Sequence, residues 1–243
     1  MRAQVLEAFN TPYRLKDIPK PKEPLDHDLL IQVLAASYCH TDAVFASGTM
    51  FQDLPRVGSH EFAGRILSLG PSVSPSLGLE IGQEIGVPGR AFRPCGHCYE
   101  CRENDGDPAG YGVWCTRAGN LGLTKDGGFQ EYALVDSRQV APIPEGFTAL
   151  DTAPLMCAGL TIWNALEAAG VDVCDKGKNV GKYVAIMGAG GGLGHLGVSE
   201  RGTYSGVSVR LYSSQSRSNS PVVLGAGFWQ WIRRRPPCSS CGT

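Results

Sequence analysis

The segment "CGHCYECRENDGDPAGYGVWC" sets Cys95, Cys98, Cys101 and Cys115 within 21 residues of a 243-residue chain, and no other feature limits the fold so tightly. Cysteines at C-x2-C-x2-C spacing fall on successive tight turns, near enough for three thiolates to converge on one ion. Cys115 can fold back as the fourth ligand. A closed tetrahedron of sulfurs suits structural zinc, each sulfur about 2.3 Å from the metal. Unligated thiols and an iron–sulfur cluster are the alternatives. His97, inside the run, reads as a solvated loop residue. An ion saturated by four sulfurs has no open position, so this site predicts a braced loop and no chemistry.

The rest of the composition narrows the class. The chain is 42% hydrophobic with a formal charge of -1, long enough for one large domain or two modest ones,. No run reaches the roughly 18 apolar residues of a membrane span, and "MRAQVLEAFN" lacks the apolar core of a secretory signal,. The expectation is a cytoplasmic protein whose nine cysteines serve metals rather than disulfides,. Near-neutral charge gives no reason to expect nucleic acid or a membrane surface as partner. The balance conceals an asymmetry: residues 1–198 carry 16 Lys/Arg against 22 Asp/Glu, whereas residues 199–243 carry six arginines and one acid, Glu200.

A second constellation is spread along the chain. "ASYCHTDAVF" offers Cys39, His40, Thr41 and Asp42; "VGSHEFAGRI" offers His60 and Glu61; "TAPLMCAGLTIW" offers Cys157 and Thr161. Singly each is weak, since a cysteine after an apolar strand such as LLIQVLAA is usually a small hydrophobe. Two thiolates and one imidazole together suit a catalytic zinc that keeps its fourth position open.

These motifs, with "DGGFQEYALVD", "APLMCAGLTIWNAL" and "YVAIMGAGGGLGHLGV", resemble the zinc-dependent alcohol dehydrogenases of the medium-chain dehydrogenase/reductase family, closest to the fungal and bacterial branch. The resemblance runs from residue 1 to about 198. It implies that Cys39, His60 and Cys157 hold the catalytic zinc, with Glu61 as an occasional alternative ligand, and that Asp42 orients the His60 ring through its other nitrogen. Thr41 would take the proton of the alcohol, His40 would face the cofactor pyrophosphate, and Thr161 the nicotinamide. Two zinc ions per chain and NAD are implied, with NADP open. The implied reaction oxidises a primary or secondary alcohol to aldehyde or ketone, in a family of homo-oligomers. Plainer roles also fit two residues: Thr41 as the cap of a helix beginning at Asp42, and Glu61 as a buried, paired carboxylate. A zinc-free quinone or enoyl reductase of the same superfamily is disfavoured by the ligand trio.

Two departures from the family pattern stand out. Val44 occupies the position where many relatives carry a proton-relaying histidine, and it can neither accept nor donate. Thirteen residues separate Cys101 from Cys115, where the family usually has about seven; the extra "ENDGDPAGYG" is turn-forming and can bulge outward.

Short apolar runs between Gly/Pro punctuation (DLLIQVLAA, AGRILSLG, EIGVPG, EYALVD) read as strands over residues 1–150,. The resemblance makes them a β-rich GroES-like barrel domain. Residues 151–198 then read as the start of an incomplete α/β Rossmann domain, with Leu160, Trp163, Asn164 and Leu166 at helical spacing. "KYVAIMGAGGGLGHLGV" follows as strand, glycine turn and helix, its phosphate site at the helix N-terminus,. The register of the turn is open. Gly188, Gly191 and Gly194 follow the strand directly, with Gly192 and Leu193 between them, while Gly192, Gly194 and Gly197 fit G-x-G-x-x-G.

After Val198 the pattern stops. A dinucleotide domain uses an acidic residue about 20 positions after its glycine turn, yet position 208 is serine and no acid follows Glu200. "VSVRLYSS" could serve as a second strand only across a short, glycine-broken crossover. The Ser/Arg-rich tail from residue 199 is expected to be poorly ordered and unrelated to the family, the product of a coding change such as a retained intron, frameshift or misannotated exon. Its Arg233–Arg235 run and the Cys238, Cys241 pair are weak as signals,. The corresponding alternative function is a catalytically inactive zinc-binding fragment.

Overall fold

The computed structural model describes residues 1–50, 53–103, 112, 114–172, 176–199 and 208–212. They divide into two compact units, the first made of Met1–Ile143 and Thr148–Cys157, the second of Pro144–Phe147 and Ala158 onward. The first unit therefore runs through Cys157 rather than ending near residue 150, and it contains every expected metal ligand.

Five antiparallel strands form its main sheet. Strands β1 (Arg2–Leu6) and β2 (Arg14–Asp17) come first, then β3 (Asp28–Ala36), helix α1 (His40–Ala46), β4 (Arg56–Val57), β5 (Glu61–Leu69) and β6 (Glu84–Pro88). Helix α2 (Tyr99–Arg102) lies in the cysteine loop, and β7 (Tyr132–Asp136), β8 (Ala141–Pro142) and helix α3 (Ala149–Thr152) complete the unit. The main sheet has the order β7-β3-β5-β6-β8, and β2-β1-β4 forms a second one. Residues 129–131 join the two: Gln4 N–H donates to Phe129 O at 2.8 Å, and Val33 N–H to Glu131 O at 3.0 Å. The four runs read as strands are β3, β5, β6 and β7. Their inward side chains Leu29, Ile31, Phe62, Ile66, Ile85, Val87, Ala133 and Val135 fill one core, each contributing about 1.5–3 kcal/mol of burial except the alanine.

Helix α3 starts on a reciprocal cap. Thr148 Oγ1 accepts from Asp151 N–H at 3.2 Å, while Asp151 Oδ2 accepts from Thr148 N–H at 3.1 Å and from Thr148 Oγ1 at 2.6 Å. The hydroxyl of Thr148, then its N–H, hold the Asp151 carboxyl below its usual pKa. A depressed folded value means stability present above about pH 4 and lost as pH falls through the folded pKa. Thr148→Ala is therefore expected to cost about 1 kcal/mol at pH 7. In urea denaturation the difference from wild type should narrow once the medium is acid enough to protonate Asp151; an unchanged gap would contradict the reciprocal cap.

The second unit contains α4 (Ala158–Ala168), β9 (Tyr183–Met187), α5 (Gly192–Ser199) and β10 (Ser208–Tyr212). Leu166 and Val171 are buried in one cluster, with Ile162, Trp163 and Val184 packed against them, and Ile186 and Val198 are buried as well. Strand β10 pairs parallel with β9 in unbroken register from Ser208 opposite Tyr183 to Tyr212 opposite Met187. This part of the tail is thus a strand, the second of a parallel pair. Residues 200–207 and 213–243, with Arg233–Arg235, Cys238 and Cys241, lie outside the described residues, as does most of the "ENDGDPAGYG" insertion. Among the described residues no helix is long and apolar enough to cross a membrane.

Candidate metal centres

The first cluster assembles at one end of the main sheet. Cys39 follows β3 and stands at the N-cap of α1; His60 immediately precedes β5; Cys157 is the last residue of the first unit. Their ligand atoms all lie within 4.8 Å of one another, and His60 Nε2 is 3.3 Å from Cys157 Sγ. The Thr41 hydroxyl is 3.7 Å from Cys39 Sγ.

Asp42 organises this cluster from beneath. It is fully buried and occupies the third position of α1, where Oδ2 accepts the Cys39 N–H at 2.9 Å and Oδ1 accepts the Ser59 N–H at 3.0 Å. The helix is therefore closed by Cys39 and Asp42, and Thr41 is not its cap. Oδ1 also lies 3.7 Å from His60 Nδ1, an electrostatic contact too long for a hydrogen bond,. That nitrogen is buried without a hydrogen-bond partner among the described residues. Burial alone would lower the His60 pKa, but Asp42 and the Cys157 sulfur overcome it and lift the value to about 11. Such a shift expresses what the surroundings demand: a carboxylate and sulfurs, shielded from water, favour a positive charge between them. A divalent ion meets that demand, and the donor set of two sulfurs and an imidazole nitrogen fits zinc.

Glu61 is 3% exposed on β5 but is not part of this converging trio. His40 is exposed at the first position of α1, and Thr161 is exposed on α4 in the second unit.

The second cluster is the four-cysteine loop, whose sulfurs also lie within 4.8 Å of one another. Cys115 Sγ is 3.6 Å from Cys95 Sγ and 3.8 Å from Cys98 Sγ. Sulfurs at about 2.3 Å from a tetrahedral centre are separated by about 3.8 Å, so the spacing matches an ion and is far beyond a disulfide's roughly 2 Å. Backbone donors are turned toward the sulfurs, Cys98 N–H to Cys95 Sγ and Cys95 N–H to Cys115 Sγ, both at 3.4 Å. The backbone of His97 leads in drawing the Cys95 thiol down to about 6, while burial and the neighbouring sulfurs push Cys98 up to about 12. Four thiolates this close need a cation to coexist. His97 itself is turned away: Nδ1 is 2.7 Å from Cys95 O and Nε2 is 2.8 Å from Arg117 Nη1. Arg117 can only donate, so Nε2 accepts and the proton sits on Nδ1.

The glycine turn lies between β9 and α5. Gly188 adopts φ 68, a left-handed conformation that side chains resist,, and its carbonyl accepts the Gly191 N–H at 2.9 Å. A Cβ at Gly194 would stand 2.2 Å from Gly188 O, so the helix passes directly under the turn. Gly192 has open space around it, and Leu193 is 46% exposed. Gly188 by its backbone and Gly194 by its surroundings thus both require glycine, and Gly194 is common to the two registers. Gly197 has a separate reason: its Cβ would press on Ile162 and Ile186.

Sequence reading missed the residues that support the trio. A Cβ at Gly89 would fall 2.7 Å from His60 Cα, and one at Gly127 only 1.9 Å from Ser59 O. Ser59 itself has φ 69 and is fully buried. The available signal was the glycine pair after Asp126, which has no local meaning until the His60 segment is laid across it.

Comparison with known proteins bears on the same residues. Residues 25–145 match the family model of the alcohol dehydrogenase GroES-like domain. An alcohol dehydrogenase of Geobacillus stearothermophilus is 34% identical over 200 residues, covering 82% of this chain and 54% of that protein. Alcohol dehydrogenase 1 of Emericella nidulans is 38% identical over 196 residues, 80% of this chain and 51% of the relative. Among solved structures, the alcohol dehydrogenase of the archaeon Aeropyrum pernix superposes with a TM-score of 0.71 at 29% identity, covering 88% of this chain and 58% of that one. The chain spans about half the length of the curated relatives it matches.

Proposed function

Because the chain belongs to the zinc-dependent alcohol dehydrogenases of the medium-chain dehydrogenase/reductase family, we propose that its Cys39–His60–Cys157 centre oxidises a primary or secondary alcohol to aldehyde or ketone with NAD or NADP. The observation that carries this reading is the convergence of the three ligand atoms within 4.8 Å, beside a threonine hydroxyl. Zinc bound there supplies Lewis acidity, making a substrate hydroxyl acidic near neutral pH. Thr41 receives the proton from that hydroxyl at its Oγ1. Asp42 keeps the His60 ring turned so that Nε2 faces the sulfurs. Val44, half-buried on α1, can neither accept nor donate a proton, so it offers Thr41 no onward step. A nicotinamide cofactor would supply the hydride acceptor; His40 would face its pyrophosphate, Thr161 would face its nicotinamide ring, and the turn from Gly188 through Gly191, Gly192 and Leu193 to Gly194 would hold its phosphate. The Cys95, Cys98, Cys101 and Cys115 site takes the second zinc and supports the loop.

A second reading, a zinc-binding chain without dehydrogenase activity, draws on the second unit. Tyr183 and Met187 on β9 are 75% and 74% exposed, apolar surface of a kind that normally meets another element. Purified full chain separates the two. The dehydrogenase reading expects about two zinc ions per chain, saturable NAD(P) binding and cofactor-dependent alcohol oxidation. Cys157→Ser should retain one zinc and lose turnover. Metal uptake without any cofactor binding supports the second reading; a wild-type chain that binds one zinc, insensitive to Cys157→Ser, sinks the first.

A further inference from the structure

Arg93 stands two residues before Cys95 and adopts φ 54, a backbone that side chains take up only under constraint,. The constraint is visible. Its guanidinium forks onto Asp28, Nε to Oδ1 at 3.0 Å and Nη2 to Oδ2, and its backbone N–H donates to Asp136 Oδ2 at 3.1 Å. Both carboxylates are buried, Asp28 to 1% and Asp136 to 2%. They are opposite one another in the sheet, Asp28 opening β3 and Asp136 closing β7. Arg138 grips Asp136 as well, Nε at 2.8 Å from Oδ1 and Nη2 at 2.6 Å from Oδ2. One residue earlier, Phe92 exchanges both backbone hydrogen bonds with Gly119, closing the base of the loop.

We infer that Arg93 is a positioning residue for the four-cysteine site: the Asp28–Arg93–Asp136 brace fixes the peptide that leads into Cys95 and thereby sets how tightly that site holds a thiophilic divalent ion. Cys95 is where this matters most, because its N–H points at Cys115 Sγ and its own sulfur accepts the Cys98 N–H. Turning the peptide before Cys95 disturbs the Cys95 and Cys115 sulfurs together, and with them the backbone of Cys98. The Arg93 side chain is 52% exposed beside a cleft of about 260 Å³, so water screens its charge and the brace acts through geometry more than attraction. The inference rests on the reading that the four cysteines bind an ion.

The test uses the full chain and two ions, zinc in competition with a chromophoric chelator and cobalt read by its thiolate charge-transfer band. Asp28→Asn removes the fork without stranding a buried charge, and Arg93→Lys keeps Asp28 paired if the first variant does not fold. In Asp28→Asn the affinity of the four-sulfur class should fall about 10–100-fold, with that of the Cys39–His60–Cys157 class unchanged. Arg93→Lys should fall between this variant and wild type. Equal weakening of both classes would reduce the brace to general stabilisation and overturn the inference, as would an unchanged four-sulfur affinity. A wild-type chain lacking the four-sulfur class altogether would remove the underlying reading instead.

Discussion

Gly127→Ala is expected to cost more than about 4 kcal/mol and to leave little native protein, a larger loss than ordinary point substitutions bring. The new Cβ would lie 1.9 Å from Ser59 O and 2.6 Å from the Gly122 backbone. All of these are main-chain atoms, so no rotamer change relieves the overlap. Ser59 cannot retreat, since its N–H is committed to Asp42 and its carbonyl accepts the Gly128 N–H at 2.9 Å. Any displacement passes directly to His60. Gly192→Ala is the control: nothing lies within 4 Å of its would-be Cβ, and it opens α5, so replacement should be neutral or stabilise by up to about 1 kcal/mol. Urea midpoints for the two variants give the comparison. If Gly127→Ala unfolds at the wild-type concentration of urea, the cradle around His60 is not as tight as described.

Stripping the metal from the four-cysteine loop should have the next largest effect. Metal binding energy at a structural site is folding energy, about 10 kcal/mol or more for small zinc modules at neutral pH. The barrel retains its own apolar core, so only part of that would be lost here. A drop of several kcal/mol corresponds to roughly 10 °C or more in Tm for a chain of this size. Cys101→Ser should reproduce the chelator's effect, because Cys101 is 3% exposed and no other donor among the described residues joins the cluster. Thermal unfolding followed with and without chelator would show it. Equal midpoints for the wild type in both conditions would mean that the loop folds without an ion.

How far the sequence foretold this molecule depended on the range of each interaction. Strands β3, β5, β6 and β7 were legible because burial and turn chemistry are written within a few residues. Strand β2 was not, since all four of its residues are exposed and leave no apolar rhythm. Cys39, His60 and Cys157 sit on three separate segments, so spacing alone could suggest the chemistry but only resemblance could join them. The pairing of Arg93 with Asp28 spans 65 positions and had no local trace. Thr41 was a plausible cap by residue type, yet the helix starts two residues earlier, which hands the cap to Cys39 and makes Asp42 the closing acid. Ser59 carried no local signal; its left-handed turn follows from where its N–H and carbonyl must go.

The burial of Asp42 carries one more consequence. A single carboxylate answers to the ends of two segments and to an imidazole at once, so the penalties for losing them overlap rather than accumulate. Whichever of residues 39, 59 and 60 is perturbed first loosens the carboxylate for the rest, and later changes come more cheaply. The neighbourhood of the metal thus has the energetics of an arch, in which the keystone and the stones resting on it fail as one.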